Sequence, residues 1–480
     1  MTAMARPTIH FTPESGWLND PNGLVYYAGE YHLFYQYVPD IGGAGAAKCW
    51  GHAVSADLVS WEQLPVALAP DELGAIWSGS AVVDPHDSSG FFDGGSGLVA
   101  LFTHWREGVQ AQSLAYSRDR GRTWTKYAAN PVIAAPELRV FRDPKVCWHA
   151  PSGRWVMVVT VGQQTRFYAS SDLRAWRVTG EFGAGYGSQG GVWECPDLFP
   201  LPVEGAGGVE RWVLLVSLNG PEGSWMEYFV GDFDGETFTS ADPAGTVLPF
   251  DWGRDYYAAI SWSDVPPEDG RRLTIGWMSN WRYAREMPTR PWRGALTLPR
   301  ALALRQTAAG PRIVQRPIAE LHGLRGPVQR WDAQYLTPDA PLALPSLDTA
   351  LELLLTITPG GSGVFRIGIG EGTESGIVLG YDAVAGQLFV ERNAPQALAA
   401  FGGRRAVPLA LSGGTLTLHL FLDRCSLELF ADDGAVALTE LFFTPLSDIS
   451  VALSAIGGAA ELASLEVYPL RGLAAAIDEE

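Results

Sequence analysis

Carboxylic acids recur along this chain inside distinctive strings. Asp20 lies in Asn19-Asp20-Pro21-Asn22-Gly23 and Asp143 in Phe141-Arg142-Asp143-Pro144. Glu194 lies in Trp193-Glu194-Cys195-Pro196-Asp197, and Asp255 in Asp251-Trp252-Gly253-Arg254-Asp255-Tyr256-Tyr257. Ser78, in Trp77-Ser78-Gly79-Ser80, falls between the first two. The steps from Asp20 to Ser78, Asp143, Glu194 and Asp255 are 58, 65, 51 and 61 residues. Carboxylates gathered in one place repel, so structure alone does not favour collecting them. Flanked by tryptophans, they suit cleavage of a sugar linkage. One carboxylate attacks the anomeric carbon or activates water, and another, with a raised pKa, protonates the leaving oxygen.

Each string alone has a plainer meaning. Asn-Asp-Pro-Asn-Gly is a turn former, and Arg142-Asp143 serves equally as a structural ion pair. Cys195 lacks a histidine partner and reads as a buried thiol. His52 and His104 show no metal-ligand spacing and read as turn or core residues. Recurrence at a common interval sets the carboxylates apart.

That interval belongs to the elements that must position them. Short apolar runs begin at Tyr31, Leu98, Trp155, Trp212 and Leu273, 67, 57, 57 and 61 residues apart. Each is β-branched or aromatic and bounded by turn residues, the pattern of a buried strand. A second series agrees: Ser55…Asp57…Trp61, Ser117…Asp119…Trp124 and Ser171-Asp172…Trp176, with a looser copy in Asp232-Phe233-Asp234…Phe238. Five strand-rich units of about 60 residues predict an all-β fold that begins with a five-bladed β-propeller, whose inner strands converge on one axis. A sandwich, with turns every 8–12 residues, is the rival. The period stops near residue 300. We expect the propeller over 1–305, a linker with a short helix over 306–328, and a C-terminal β-sandwich of accessory character over 329–480.

Composition sets the outer limits. The 480 residues carry 34 Lys and Arg against 53 Asp and Glu, a formal charge of −19, which argues against nucleic acid and anionic membrane surfaces. Fifty-five glycines and 18 tryptophans fit many tight turns and flat aromatic faces. Four dispersed cysteines without a C-x-x-C pair point to reduced thiols. Without an apolar leader the chain reads as cytoplasmic as written, or secreted if a signal peptide was removed. No cofactor and no metal are expected, and the protein is expected to be a monomer or homodimer.

The strings also carry a resemblance. Trp17-Leu18-Asn19-Asp20-Pro21-Asn22-Gly23, Arg142-Asp143-Pro144 and Glu194-Cys195-Pro196-Asp197 resemble glycoside hydrolase family 32, the invertase, levanase and inulinase family. Gln36-Tyr37-Val38-Pro39, Trp50-Gly51-His52-Ala53, Trp77-Ser78-Gly79-Ser80, Asp255-Tyr256-Tyr257-Ala258, Pro299-Arg300 and Ser426-Leu427-Glu428-Leu429-Phe430 support it. The resemblance implies a five-bladed propeller with a C-terminal sandwich and a retaining β-fructosidase acting on fructans or sucrose. It makes Asp20 the nucleophile, Glu194 the acid/base and Asp143 the transition-state stabiliser. It places Asn19, Gln36, Trp50, Trp77, Ser78 and Arg142 around the terminal fructose, with Asp255 and Trp281 completing the wall. Two departures concern the leaving group. Val38 to Ala47 lacks the family's aromatic, and Asn280 to Ala284 resembles the levanase and inulinase branch. A fructosyltransferase and a non-catalytic sugar-binding propeller are the alternatives.

Overall fold

The computed structural model describes residues 6–41, 47–344, 349–361, 363–373, 376–394, 396–443 and 450–472. Each apolar run found in the sequence is the second strand of a sheet. The runs lie in Glu30–Val38, Gly97–Arg106, Arg154–Val161, Glu210–Gly220 and Arg272–Trp277. These strands are buried on both faces, so they read as continuous apolar segments rather than alternating ones.

The strand before each run carries the polar strings. These first strands are Gly16–Tyr27, Ala75–Asp84, Arg142–His149, Val192–Glu204 and Tyr257–Ser261. Each packs against the next, and the last packs back on the first, so they form a closed ring. Outward from the ring the chain runs antiparallel through each sheet. The final two sheets touch through a short parallel contact, Val203-Glu204 beside Leu304-Arg305, and count together as one eight-stranded sheet. Trp292–Arg293 pairs parallel with Gly16-Trp17 and ties the end of the ring to its start.

The Ser/Asp turns close the outer edge of the sheets. Asp57 Oδ1 accepts from the Val59 and Ser60 amides at 2.9 and 2.6 Å, and Asp172 Oδ1 from Arg174 and Ala175 at 3.0 and 2.8 Å. Asp234 Oδ1 holds the Glu236 and Thr237 amides at 2.8 Å. These are Asx turns. The hydroxyl used beside Asp172 is that of Ser170 rather than Ser171.

The propeller-like part runs beyond residue 305. Arg300–Thr307 pairs with Arg272–Trp277 and turns into Gly310–Pro317, so this hairpin completes the last sheet. A 3-10 helix, Ala319–Leu324, follows. Two antiparallel sheets then face each other across a core that includes Leu353, Leu355 and Ile357 on one side and Phe365, Ile367 and Ile369 on the other. This β-sandwich also contains Gly403–Pro408 and Ala460–Pro469. Gly403–Pro408 is an exposed edge with one buried side chain, so it shows no apolar alternation. Residues 473–480 of the expected sandwich lie outside the described residues.

Polar groups join the two parts. Arg300 is fully buried and donates to Asp251 Oδ2 and Gln315 Oε1 at 2.9 Å and to Glu428 Oε2 and Thr439 Oγ1 at 2.6 Å. Segment Asp251–Asp255 lies along the sandwich strand Val436–Leu441, with Trp252 N–H on the Ala437 carbonyl (2.9 Å) and Asp255 N–H on that of Thr439 (3.1 Å). Gly253 is required there, because a Cβ would stand 2.0 Å from the Thr439 oxygen. The N-terminal segment docks on the same sandwich. His10 lies between Asp423 Oδ2 (2.8 Å) and Glu428 Oε1 (2.9 Å), all fully buried.

Burial opposes the His10 charge, but its two carboxylate partners prevail and lift its pKa to about 9, while Asp423 is depressed to about 2. The histidine's contribution is complete below pH 6.5 and fades as pH rises through 9; that of Asp423 is complete above 3.8 and fades as pH falls through 2. His10→Ala should therefore cost about 3 kcal/mol of unfolding free energy near pH 6, since it removes the buried cation shared by two buried carboxylates. Urea melts at pH 6 and pH 10 check this, and the wild-type advantage should shrink at the higher pH.

Candidate active site

Every first strand is interrupted at the same level. Its pairing with the second strand slips between Leu18 and Pro21, Ile76 and Gly79, Arg142 and Lys145, Glu194 and Asp197, and Tyr257 and Ile260. A bulge re-aims a side chain out of the pleat, and proline is tolerated there because no ladder hydrogen bond is needed. Pro21, Pro144 and Pro196 occupy three of the five. Asp143, Cys195 and Ala258 adopt left-handed φ of 63°, 42° and 53°, strained for residues with a side chain. The bulges bring together Asp20, Ser78, Asp143, Glu194 and Tyr257.

Asp20 Oδ2 accepts from the Ser78 hydroxyl at 2.7 Å and lies 3.8 Å from Cys195 Sγ. Its Oδ1 is buried and has no hydrogen bond with the described protein atoms. Asn22 fixes this stretch through the Asp20 carbonyl (3.1 Å) and the Gly79 amide (3.1 Å). Asp143 Oδ2 accepts from the Cys195 amide at 2.9 Å. The Asp143 amide donates to Thr103 Oγ1 at 2.9 Å, and Phe141 is held by Gln110 and Gln112 at 2.8 and 2.7 Å. Arg142 reaches across to Glu194 Oε1 at 2.5 Å, with Asp143 Oδ2 3.8 Å from its Nε. The Tyr257 hydroxyl donates to Glu194 Oε2.

Burial raises the pKa of Asp20, opposed by Lys48 and the Ser78 hydroxyl and reinforced by Glu194. Burial lifts Asp143 to about 7 against the pull of Arg142, with Glu194 and Asp20 pushing the same way. The Cys195 thiol is driven well up by burial and by all three carboxylates, which removes it as a nucleophile.

Other expected residues divide into wall, support and correction. Trp77 and Trp281 are half-buried, and Asn19 is buried beside Asp20. Gln36 donates to the Ile76 carbonyl at 3.0 Å, while its Oε1 is buried without a partner among the described residues. Trp50 is corrected: it is fully buried, and its indole N–H holds the Trp77 carbonyl at 2.9 Å, so it supports the Trp77-Ser78 bulge instead of facing a sugar. Asp255 is also corrected. It is fully buried toward the sandwich, bound by Tyr283 and Arg392 at 2.5 Å each. The ring position assigned to it belongs to Tyr257, two residues on, where the fifth bulge falls.

Lys48 was not anticipated. Its ammonium lies 5.8 Å from the Trp77 ring centre and 5.5 Å from that of Trp281, beside the stretch where the sequence lacks an aromatic. Residues 42–46 of that stretch lie outside the described residues. Beyond the carboxylates the axis narrows to a cavity of about 10 Å3, lined by Pro21, Asn22, Gly79, Pro144, Lys145 and Ile260 among others. That is room for one water. Lys145 plugs the axis, donating to the Ser261 carbonyl at 2.5 Å with Asp197 at 3.4 Å. Among the described residues the axis is closed on this side of the carboxylates.

Because its folded pKa is raised, Asp143 is least costly when protonated, and its burden on stability grows as pH rises from 3.8 to about 7. Asp143→Asn keeps the acceptor for the Cys195 amide. It should raise unfolding free energy by about 2 kcal/mol at pH 8 and by less at pH 5, as read from chemical denaturation at the two pH values.

Comparison with known proteins places this geometry. The N-terminal domain of glycosyl hydrolases family 32 matches residues 10–317, and the family's C-terminal domain matches 320–469. The levanase of Bacillus subtilis strain 168 is 48% identical over 477 residues, covering 97% of this chain and 70% of that protein. The levanase of Bacillus sp. strain L7 is 40% identical over 98% of this chain, but the match spans 52% of its length. The crystal structure of exo-inulinase from Aspergillus awamori superposes with a TM-score of 0.90 at 34% identity, over 98% of this chain and 99% of that one. A fructofuranosidase from Schwanniomyces occidentalis complexed with fructosylnystose gives 0.87 at 32% identity, over 98% of each chain. The chain, an N-terminal propeller with a C-terminal β-sandwich, belongs to glycoside hydrolase family 32.

Proposed function

We propose that this protein is a retaining β-fructosidase that removes terminal fructosyl units from fructans, fructo-oligosaccharides and sucrose. The observation that carries the proposal is the convergence of Asp20, Asp143 and Glu194, through separate bulges, at the end of an axis that narrows to a cavity of about 10 Å3. The names of the similar proteins, levanase and exo-inulinase, support the substrate class. The same closed ring of first strands supports reading the N-terminal part as a five-bladed propeller, with the eight-stranded sheet counted as two blades. We place its end at Pro317, the connector at 318–328 and the sandwich from Gln329.

In this reading Asp20 Oδ1, free of protein hydrogen bonds, attacks the anomeric C2 of the terminal fructosyl unit. Glu194 gives its proton to the leaving oxygen, and a fructosyl ester on Asp20 results. Water then attacks C2, returns a proton to Glu194 and frees Asp20, with configuration retained. Ser78 and Lys48 favour the ionised nucleophile. Asp143 accepts hydrogen bonds from fructose hydroxyls, and the buried, unpaired Oε1 of Gln36 is a second acceptor. Arg142 and Tyr257 hold Glu194 at the cleft edge. Closure of the axis by Lys145 supports attack at chain ends. Two of the Aspergillus relatives are named extracellular exo-inulinases, which supports action outside the cell on polymer. No described helix is long and apolar enough to cross a membrane.

Product analysis on levan, inulin and concentrated sucrose tests the activity. Free fructose should dominate, and a majority of new oligofructosides would assign the protein to transfer instead. Asp20→Asn and Glu194→Gln should each lower kcat by about 10³-fold or more. Sucrose turnover by Asp20→Asn within 10-fold of wild type, about 1.4 kcal/mol in barrier, would remove its assigned role. Lys48→Met withdraws the cation that favours ionised Asp20. The acid limb of the kcat/KM profile should move to higher pH, while Lys48→Arg should keep it in place.

A further inference from the structure

The sandwich meets the catalytic machinery at Asp255, through the Leu441 amide on Asp255 Oδ2 at 2.8 Å and through one arginine side chain. Strand Gln387–Arg392 ends in Arg392, whose side chain is fully buried against the propeller. Its guanidinium stacks 3.6 Å from the Phe401 ring centre and forks in two directions. Nη1 donates to Asp255 Oδ2 at 2.5 Å, and Nη2 donates to the Tyr283 hydroxyl at 2.6 Å. That hydroxyl donates in turn to Asp255 Oδ1 at 2.5 Å, closing a three-membered circuit. Glu440 Oε2, 2.7 Å from Nη1, shares the charge and binds Arg254 through its other oxygen at 2.9 Å.

Each arm ends at a segment that lines the pocket. Asp255 stands two residues before Tyr257, whose hydroxyl binds Glu194. Tyr283 closes the turn that presents Trp281. Its amide donates to the Asn280 carbonyl at 3.1 Å, and Asn280 Nδ2 holds the carbonyls of Arg254 and Ser224 at 2.8 and 2.9 Å. Trp281 packs on Trp277 at 4.7 Å, below the Lys48 ammonium. A buried ion pair is a weak source of stability, because desolvation offsets attraction, and its best-attested use is to fix one arrangement among several. Planar Arg392 is suited to this, since it offers two donors in fixed geometry and lysine does not.

We propose that Arg392 is a positioning residue of the fructosidase site, supplied by the sandwich: through Asp255 it sets the Tyr257 hydroxyl on Glu194, and through Tyr283 it sets Trp281 in the pocket wall. The sandwich is on this account part of the active site and not only a cover for the propeller. The proposal rests on the functional reading above.

Four variants test it: Arg392→Met, Arg392→Lys, Tyr283→Phe and Tyr257→Phe, each assayed for kcat, KM, the basic limb of the kcat pH profile and thermal midpoint. Arg392→Met removes both arms and should lower kcat by about 10- to 100-fold, raise KM and shift the basic limb. Arg392→Lys keeps a cation for Asp255, so the limb should return toward its wild-type position while KM stays raised. Tyr283→Phe keeps the ring and removes the second arm, so it should raise KM more than it lowers kcat. In a Tyr257→Phe background, Arg392→Lys and Arg392→Met should share one basic limb, because the link to Glu194 is already cut. A lowered thermal midpoint with wild-type kcat, KM and limb would reduce Arg392 to a structural role, as would limb shifts that add to those of Tyr257→Phe. Should Arg392→Met fail to fold, Tyr283→Phe and Arg392→Lys decide by the same criteria. Wild-type protein inactive on levan, inulin and sucrose would refute the functional reading itself, whereas active wild type with unaffected variants would refute only the role of Arg392.

Discussion

Carboxyl groups crowded out of water repel one another and resist ionisation, and this protein gathers three of them. The surrounding structure is organised around offsetting that cost without neutralising the groups. Arg142 spans two of the acids, Lys48 faces the third, and Ser78, Tyr257 and the Cys195 amide each donate to one carboxylate oxygen. None of these donors could converge from one continuous strand. They come from neighbouring strands of a ring, each broken by a bulge at the same height. The strained backbone at Asp143, Cys195 and Ala258 is local, and the buried second strands on either side hold it in place.

That division of labour explains which parts of the molecule could be seen in the sequence. The second strands are buried on both faces and stand out as apolar runs. The bulges stand out because proline and acidic residues inside a strand are otherwise unfavourable. Asp20, Asp143 and Glu194 were legible for that reason. The fifth ring position was misjudged because Asp255 is acidic and Tyr257 is not. What matters at that position is a hydroxyl within reach of Glu194, and a search for carboxylates does not register it. Trp50 looked like a sugar platform, since tryptophan serves equally as a platform and as a buried donor, and only its full burial separates the two. Lys48 gives no local signal: its meaning depends on Trp77 and Trp281, which reach it through the fold. The same holds for Arg392, which lies 137 residues from Asp255 in the chain.

The limit between the two parts shows the same effect. The sixty-residue period fades near residue 300, yet the hairpin from Arg300 to Pro317 still belongs to the last propeller-like sheet. Its first residue, Arg300, is clamped by Asp251 on one side and Glu428 on the other. The strings around Arg300 and Glu428 appeared in the sequence as two unrelated late matches. In the structure they are two halves of one contact.

The docking of Thr8, Ile9 and His10 on Asp423 has a consequence for how the protein is made. The partner of His10 leaves the ribosome 413 residues after it. Until then the first strand lacks this anchor, although its parallel neighbour Trp292–Arg293 has already been made. Segment Thr8–His10 therefore waits for a residue made 413 positions later, and its docking follows synthesis of the sandwich strands that receive it. The sandwich is on this account the clasp of a first strand that has been waiting for it.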